Sequence, residues 1–312
     1  MVINFGGEPL APSPLDVHWI HGTARGSGRT DPPLQTYAHD PFTYILRQSK
    51  DVTHEAPFLY LFCGNDRALL LDTGDVADPA VCPVRGAVDE IIDAHLAAHP
   101  REGYELIVAH THGHGDHVAG DPQFEGRPAT TIVGREPDKV ADFFGFTSWP
   151  EEVVGYDLGG RVLEIVGIPG HHRASIAVFD PHSGFLVTGD TVYRGRLCVD
   201  DFPAFTDSLD RLVDFAATRP VSHVMGCHIE MTRRPGRDYP IGSPYQPREP
   251  ELEMPVAHLT EIRDAALSVA ELPGAHVFDD FAIFNGLAMD ERHRQDRRLQ
   301  WERIRRNFGM RP

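Results

Sequence analysis

The chain has 312 residues, of which 41% are hydrophobic, and its formal net charge is −17. This length allows one large domain with a sizeable core, and the negative charge argues against a general nucleic-acid-binding surface, because such surfaces are basic. The four cysteines are far apart and form no C-x-x-C, which argues against a disulfide framework and a zinc ribbon.

The elements predicted for the first half form a βαβ unit. Residues 1–40 are rich in Pro, Gly and Asp and are expected to be an irregular arm. Two apolar runs, Phe58–Cys63 and Arg67–Asp72, are separated by a Gly-Asn-Asp turn and predict a hairpin. Helical spacing of apolar residues predicts a helix over residues 86–98, and Leu106–Ala109 is typical of a buried strand. In βαβ units sites form beyond the carboxyl ends of the strands, so we expect one directly after this strand.

The second half repeats the alternation of strands and helices. Strands are predicted at Val162–Ile168, Ile176–Phe179, Phe185–Thr188 and Val221–Met225. Helices are predicted around Leu209–Ala216 and Val256–Leu267, on either side of a long loop at residues 233–250. We therefore expect an arm at 1–40, a main domain at 41–250 and a small helical appendage at 251–312, which includes an Arg-rich helix that docks on the acidic body.

The segment after Leu106–Ala109 has the most informative pattern in the chain. An H-x-H-x-D-H motif there places four side chains within six residues: His112, His114, Asp116 and His117. Imidazole and carboxylate groups are common ligands of zinc and similar divalent ions, and the interleaved glycines allow a tight loop to turn several ligands toward one point. The alternative is a solvated patch of histidines.

Three further candidate ligands follow predicted strands. His171, Asp190 and His228 each stand just beyond a run of apolar residues. Alone, each is a weak signal, because the chain has 18 histidines. Their joint occurrence, in this order after the motif, is hard to explain by chance and indicates a metal centre at the strand ends.

With these residues the chain resembles the metallo-β-lactamase-fold hydrolase superfamily. The matching residues are Asp72-Thr73-Gly74, His112–His117, Gly120, Gly170-His171, Gly189-Asp190 and His228. The resemblance covers roughly residues 40–230. It implies an α/β fold, a four-layer αβ/βα sandwich, with a hydrolase domain at 41–250 and the small helical appendage at its C-terminal side.

The resemblance also implies two divalent metal ions. The implied ligands are His112, His114 and His171 for the first ion and Asp116, His117 and His228 for the second. Asp190 would bridge both ions, and Asp72 would orient the site without binding a metal. The neighbouring His110 and His172 are expected to orient ligands or to line the pocket. Donors of this kind favour zinc, with iron and manganese as alternatives.

A pair of ions predicts a hydrolytic reaction. Two divalent cations about 3.5–4 Å apart can share a water and supply hydroxide near neutral pH. The hydroxide would attack a small ester, thioester or lactone, while Asp116 orients the water or moves a proton. The alternatives are a phosphodiesterase on the same scaffold and a metal-stabilised binding protein without activity. Closed structural zinc sites are four-coordinate and rich in cysteine, so this ligand set favours catalysis.

Within the superfamily the chain is most similar to the branch of glyoxalase II and the acyl-homoserine-lactone lactonases. Tyr193, three residues after Asp190, matches a lactonase tyrosine that contacts the substrate oxygen, and a phenol can donate a hydrogen bond there. The alternative is a tyrosine that only packs in the loop. The usual glutathione-binding pattern of glyoxalase II is not found in residues 251–312, which leaves thioester specificity open.

The expected partner is a small-molecule substrate, with no nucleic acid. The chain has no long apolar run and no leader-like N-terminal pattern, so we expect no membrane association and a soluble cytoplasmic protein. If the chain self-associates, a homodimer is the expected assembly.

Overall fold

The structure, a computed structural model, describes residues 2–6, 14–24, 28–286, 297 and 301. Within these residues no helix is both long enough and apolar enough to span a bilayer. The elements form two large sheets, one small sheet and the helices that cover them.

The first sheet contains the strands of the N-terminal half. They are β1 (Leu34–Asp40), β2 (Thr43–Gln48), β3 (Phe58–Cys63), β4 (Arg67–Leu71), β5 (Glu105–Ala109) and β6 (Thr130–Ile132), which neighbour one another in that order. The pairs from β1 to β4 are antiparallel, whereas β4, β5 and β6 are parallel. Helix α1 (Val84–Ala98) connects β4 to β5, so these two strands end at the same edge of the sheet.

Two short helices follow β5 and β6. Helix α2 (Gly115–Val118) lies within the loop after β5, and α3 (Pro137–Phe144) follows β6. Helix α3 has proline in its first turn and ends at Gly145, whose φ of +86° is the left-handed conformation that stops many helices.

The second sheet contains most strands of the C-terminal half. They are β7 (Val153–Asp157), β8 (Val162–Gly167), β9 (Ile176–Asp180), β10 (Phe185–Gly189), β12 (His223–Gly226) and β13 (Glu253–Met254), with β11 (Arg196–Val199) outside this sheet. Their spatial order is β13-β12-β10-β9-β8-β7, and β10 and β12 are parallel. Helix α4 (Phe202–Ala217) lies in the connection between the parallel strands β10 and β12. Its first turn is capped by the side chain of Asp201, which accepts a hydrogen bond from the amide of Ala204.

The chain then adds one helix and a small sheet. Helix α5 (Ala257–Val269) packs against α4, and β14 (Gly274–Val277) and β15 (Ala282–Asn285) follow it. The small sheet has the order β11-β15-β14, with β11 and β15 parallel.

The core explains the layering. Along β3, Phe58, Tyr60 and Phe62 belong to the cluster shared by the two large sheets, whereas Leu59 and Leu61 belong to the cluster under α1. Alternate residues of a strand point to opposite faces, so an uninterrupted apolar run is buried on both sides. A third cluster lies between the second sheet and helices α4 and α5. The layers are therefore helix, sheet, sheet, helix.

The predicted four-layer α/β sandwich is confirmed, and two boundaries differ. The predicted arm includes β1, because residues 34–38 and 40 pair with β2, with one irregularity at His39. Residues 251–286 are not only helical, since β15 finds a backbone partner in β11, far back in the sequence. The Arg-rich helix predicted at the C-terminal side lies outside the described residues, apart from Arg297 and Trp301.

Candidate metal centre

The H-x-H-x-D-H loop is held against the ends of β4 and β5. The amide of Thr73, just beyond β4, donates to the carbonyl of His117, and Gly74 pairs with Val118 in an isolated bridge. A Cβ added to Gly120 would lie 2.2 Å from the carbonyl oxygen of Thr73. The chain can approach this closely only because a glycine is present, and the approach turns the loop toward the sheet edge.

Three histidines form the first cluster. His112 Nε2 lies 2.9 Å from His114 Nδ1, and His171 Nε2 lies 3.2 Å and 3.0 Å from these two nitrogens. His112 and His171 are buried, and His114 is half-buried. When three neutral imidazoles direct a nitrogen lone pair to the same point, none of these nitrogens can donate a hydrogen bond to another. A cation at that point can be bound by all three lone pairs. The residues fit a metal ion.

Two carboxylates and two histidines form the second cluster: Asp116, His117, Asp190 and His228. His228 Nε2 lies 3.2 Å from Asp116 Oδ2 and 3.3 Å from His117 Nε2. Asp190 Oδ1 lies 3.6 Å from each of the two imidazole Nε2 atoms and has no hydrogen-bond partner among the described residues. A buried carboxylate oxygen without a partner is costly unless a cation satisfies it.

Asp190 also faces the first cluster. Its other oxygen, Oδ2, lies 3.9 Å from His171 Nε2, whereas Oδ1 faces the second cluster. The structure thus brings together all seven ligands implied by the resemblance, in the predicted two groups, with Asp190 between them.

Three of the five imidazoles are oriented through their second nitrogen, Nδ1. His171 Nδ1 lies 2.7 Å from the carbonyl oxygen of Cys198, and His228 Nδ1 lies 3.1 Å from the carbonyl oxygen of Glu55. His117 Nδ1 lies 2.9 Å from Asp72 Oδ2. These contacts place a proton on Nδ1 and leave the Nε2 lone pair for a metal. The sequence indicated only the role of Asp72, because backbone carbonyls such as those of Cys198 and Glu55 have no signature in a sequence.

Electrostatics also favour cations here. Burial, together with the neighbouring imidazoles, holds the pKa of His112 well below its usual value, so this ring is neutral. In the second cluster burial would lower the pKa of His228, but Asp190 and Asp116 raise it to about 9. Burial would raise the pKa of Asp190, but His228 and His117 lower it to about 2. The second cluster therefore attracts positive charge, and a divalent ion can take the place of the protons.

A third group of potential ligands consists of Asp72, His117 and Cys227. Burial keeps the pKa of the Cys227 thiol well above its usual value, and its Sγ lies 3.4 Å from Asp72 Oδ2 as a hydrogen-bond donor. A neutral thiol is a poor metal ligand. This group is therefore not a metal site, and it orients His117 instead.

The remaining candidates lie beside the ligands. The hydroxyl of Tyr193 donates to the carbonyl of Arg196 at 2.7 Å and lies 3.0 Å from Glu230 Oε2, while its ring centroid is 5.9 Å from that of His228. This position favours packing over contact with the substrate. His110 Nε2 lies 2.8 Å from Asp121 Oδ1, away from both clusters. The ring centroid of His172 lies 5.1 Å from that of His114, but His172 belongs to neither cluster.

Comparisons with known proteins agree with this geometry. The family model of the metallo-beta-lactamase superfamily matches residues 53–228, which include all seven candidate ligands. A hydroxyacylglutathione hydrolase of Synechococcus sp. is 32% identical over 161 residues, covering 50% of this chain and 58% of that protein. One of Methylococcus capsulatus is 31% identical over 149 residues, covering 46% and 55%. The chain thus matches only a little over half the length of these curated relatives.

Solved structures with the same fold are more distant in sequence. TMB-1 superposes with a TM-score of 0.50 at 15% identity, covering 77% of this chain and 100% of that one. A metallo-beta-lactamase from Pontibacter korlensis gives a TM-score of 0.50 at 14% identity, covering 75% and 99%. At such identities the likeness concerns the fold alone.

Proposed function

The chain belongs to the metallo-beta-lactamase superfamily, and on this premise we propose that it is a dinuclear metal-dependent hydrolase of small thioesters, with esters and lactones as related substrates. The observation that carries the proposal is the position of Asp190, whose two oxygens face two separate ligand clusters. A single structural zinc site needs no such carboxylate between two groups of imidazoles.

The donor set defines the chemistry that bound metals would contribute. Two divalent ions, held by the first and second clusters, would supply hydroxide at neutral pH and polarise a carbonyl oxygen. Zinc is the preferred ion, because all seven donors are nitrogen or oxygen atoms and imidazole predominates.

The protein's own residues then orient the site and move the proton. Asp116 is the most solvent-accessible carboxylate of the centre, with 21% of its side chain exposed, compared with 10% for Asp190. Its Oδ2 lies 3.2 Å from His228 Nε2, so the carboxylate is at the open side of the second cluster. We assign to Asp116 the role of orienting the attacking water and passing its proton to the leaving group.

The choice of thioester is supported by the relatives. The proteins from Synechococcus sp. and Methylococcus capsulatus are hydroxyacylglutathione hydrolases, and their names describe cleavage of a thioester. The match covers only a little over half of each relative, so it does not identify the thiol half of the substrate.

The test combines metal analysis with a substrate panel. We expect purified protein to contain about two equivalents of divalent metal, measured by plasma mass spectrometry. We also expect it to hydrolyse acyl thioesters, measured by the release of thiol. Asp190→Asn and His112→Ala are expected to lose most of the activity and metal. His276→Ala, on β14 outside both clusters, is the matched control and should keep both.

Three results would contradict the proposal. If the protein contains no stoichiometric metal, or if His112→Ala hydrolyses thioesters as well as wild type, the reaction does not depend on a metal ion. Cleavage of bis-p-nitrophenyl phosphate, with no activity on thioesters, esters or lactones, would instead identify a phosphodiesterase on this scaffold.

A further inference from the structure

Strand β11 has one edge that faces the metal centre. The carbonyl oxygen of Cys198 lies 2.7 Å from His171 Nδ1, and the amides of Asp200 and Asp201, just beyond the strand, each donate to the carbonyl of Gly170 at 2.9 Å. Three backbone contacts thus connect β11 and the residues after it to the segment that carries a ligand of the first cluster. An imidazole whose second nitrogen is held in this way keeps its direction and its tautomer for binding a metal.

The opposite edge of β11 is paired with β15. The register of this parallel pair places Cys198 beside Phe284, and the amide of Ala282 donates to the carbonyl of Gly195 at 2.8 Å. Successive carbonyl groups of a strand point to opposite edges. Because the carbonyl of Gly195 faces β15, that of Cys198 faces away from it, toward His171. The pairing with β15 therefore sets the direction of the carbonyl that orients this ligand.

Among the described residues, β15 is the only strand that pairs with β11. Arg196, at the beginning of β11, is also anchored by its side chain, which forms ion pairs with Glu230 and Asp238. The end of β11, which carries Cys198, has no charged side chain, and its backbone is held along this edge by β15. The support from β15 is thus greatest at the residue that contacts His171.

Strand β15 is itself fixed to helix α5 by one side chain. The amide nitrogen of Asn285 donates to the carbonyls of Val269 and Ala270 at 3.0 Å each, and to that of Leu272 at 3.2 Å. These carbonyls lie at the carboxyl end of the helix or just beyond it, where the next turn offers no amide to pair with them. Asn285 also pairs with Val199 at the end of β11, so the helix, β15 and β11 are connected at this point.

We propose that β15 is a positioning element of the metal centre, which sets the affinity for the first ion through β11 and the carbonyl that orients His171. The histidines of the second cluster do not depend on this path, because His117 is held by Asp72 and His228 by the carbonyl of Glu55. The region matched by the family model ends before β15, so this support lies outside it. The inference rests on the proposed function, since it concerns the metal ions of that hydrolase.

A matched pair of proline substitutions tests the strand pairing. Ala282 directs its amide to β11, whereas Ala275 is in β14, the outer strand of the small sheet. The amide of Phe278 donates to the carbonyl of Phe281, and hydrogen-bonded pairs alternate from there, so the amide of Ala275 faces away from β15. Ala282→Pro therefore removes a hydrogen bond between β15 and β11, whereas Ala275→Pro adds the same ring without removing a bond of the sheet.

The measurement is the affinity for each ion. Metal-free protein is titrated with zinc and followed by calorimetry, and His171→Ala and His228→Ala identify the binding events of the first and second ions. We expect Ala282→Pro to weaken binding of the first ion by roughly tenfold, the lower end of the effect of losing the partner of a metal-binding histidine. Binding of the second ion should be unchanged, and Ala275→Pro should keep both affinities.

A second variant applies if the proline in β15 prevents folding, which circular dichroism would report. Asn285→Ala releases β15 from α5 without removing a backbone bond to β11, and it should weaken the first ion by roughly threefold to tenfold. Asn65→Ala is its matched control, because this side chain also makes three hydrogen bonds, to the backbones of Ile3 and Gly159. It lies in the turn between β3 and β4 and should leave both affinities unchanged.

The outcomes separate the inference from the proposed function. Equal weakening of both ions in Ala282→Pro, or the same weakening in Ala275→Pro or Asn65→Ala, would overturn the positioning role, since general loosening of the fold would then be the cause. Unchanged affinity for the first ion in the folded variants of β15 would also overturn it, while the hydrolase remained. Wild-type protein that binds no zinc would overturn the proposed function itself.

Discussion

Asp72 and His117 are joined by a contact of 2.9 Å between Asp72 Oδ2 and His117 Nδ1, and both side chains are completely buried. Asp72 has a φ of +70°, an uncommon conformation for a residue with a Cβ. Its oxygens also accept from the amide and hydroxyl of Thr111 at 2.7 Å and 2.8 Å. The carboxylate therefore fixes both the loop and the imidazole that faces the second cluster.

Replacing Asp72 by asparagine should weaken the second metal site selectively. Asparagine tolerates positive φ and keeps the shape, but it removes the charge that orients His117. We expect about a 10–100-fold loss of affinity for one of the two ions, as is typical when the partner of a metal-binding histidine is removed. Titration of metal-free protein with zinc, followed by calorimetry, measures this, with exposed Asp157→Asn as the control. Equal weakening of both ions would contradict the assignment.

Gly120 and Gly115 offer a matched pair of substitutions in the same loop. A Cβ at Gly120 would lie 2.2 Å from the Thr73 carbonyl oxygen, whereas one at Gly115 would meet nothing within 4 Å. Gly120→Ala should therefore reduce the free energy of unfolding by about 1–3 kcal/mol, as overpacking does. Gly115→Ala should leave the stability unchanged or raise it slightly, since alanine favours helix α2. Urea unfolding compares them, and equal stabilities would refute the close approach.

Removing the hydroxyl of Tyr193 tests whether this group has a structural or a catalytic role. If its role is the buried hydrogen bond to Arg196 and Glu230, Tyr193→Phe should reduce stability by about 0.5–1.5 kcal/mol and change kcat by less than a few fold. A hydroxyl that stabilised the reacting oxygen would instead cost about 100-fold or more in kcat. We expect the first result from urea unfolding and steady-state kinetics with a thioester. A large loss of kcat with unchanged stability would restore the role inferred from the lactonases.

Stability should fall toward acidic pH partly because of His95. Burial lowers the pKa of His95, the neighbouring His99 and Arg161 lower it further, and the carbonyl of Gly64 opposes them. The pKa in the folded state thus lies below the unfolded value of about 6.5, so below that pH the unfolded chain binds more protons. The stability that depends on a neutral His95 is therefore complete above about pH 6.5 and is lost as the pH falls.

His95→Gln removes this proton and should flatten the pH dependence. Urea unfolding of metal-loaded protein at pH 7.5 and 5.5 should show a smaller loss of stability for His95→Gln than for wild type. The metal centre contributes equally to both proteins, so it cancels in the comparison. His276→Gln, with a partly exposed histidine on β14, should behave as wild type. Identical losses for His95→Gln and wild type would show that His95 does not contribute.

The local chemistry and much of the secondary structure follow from the sequence. The run Phe58–Cys63 predicts a strand of a hairpin, and the structure buries this strand on both faces, as is typical where apolar residues do not alternate with polar ones. The H-x-H-x-D-H motif predicts metal ligands, because imidazole and carboxylate groups at this spacing can converge in one loop. His171, Asp190 and His228 are recognisable through their positions after strands, since the strand ends of such a sheet meet at one edge.

Other features exist only because distant segments pack together. The position of Asp190 between two clusters and the pairing of β15 with β11 depend on partners far away in sequence. The contact between the Tyr193 hydroxyl and Glu230 does so as well. Ligand chemistry is a property of residue types and is therefore visible in the chain. Hydrogen-bond direction and shape depend on which atoms meet after folding, and only the tertiary structure decides them.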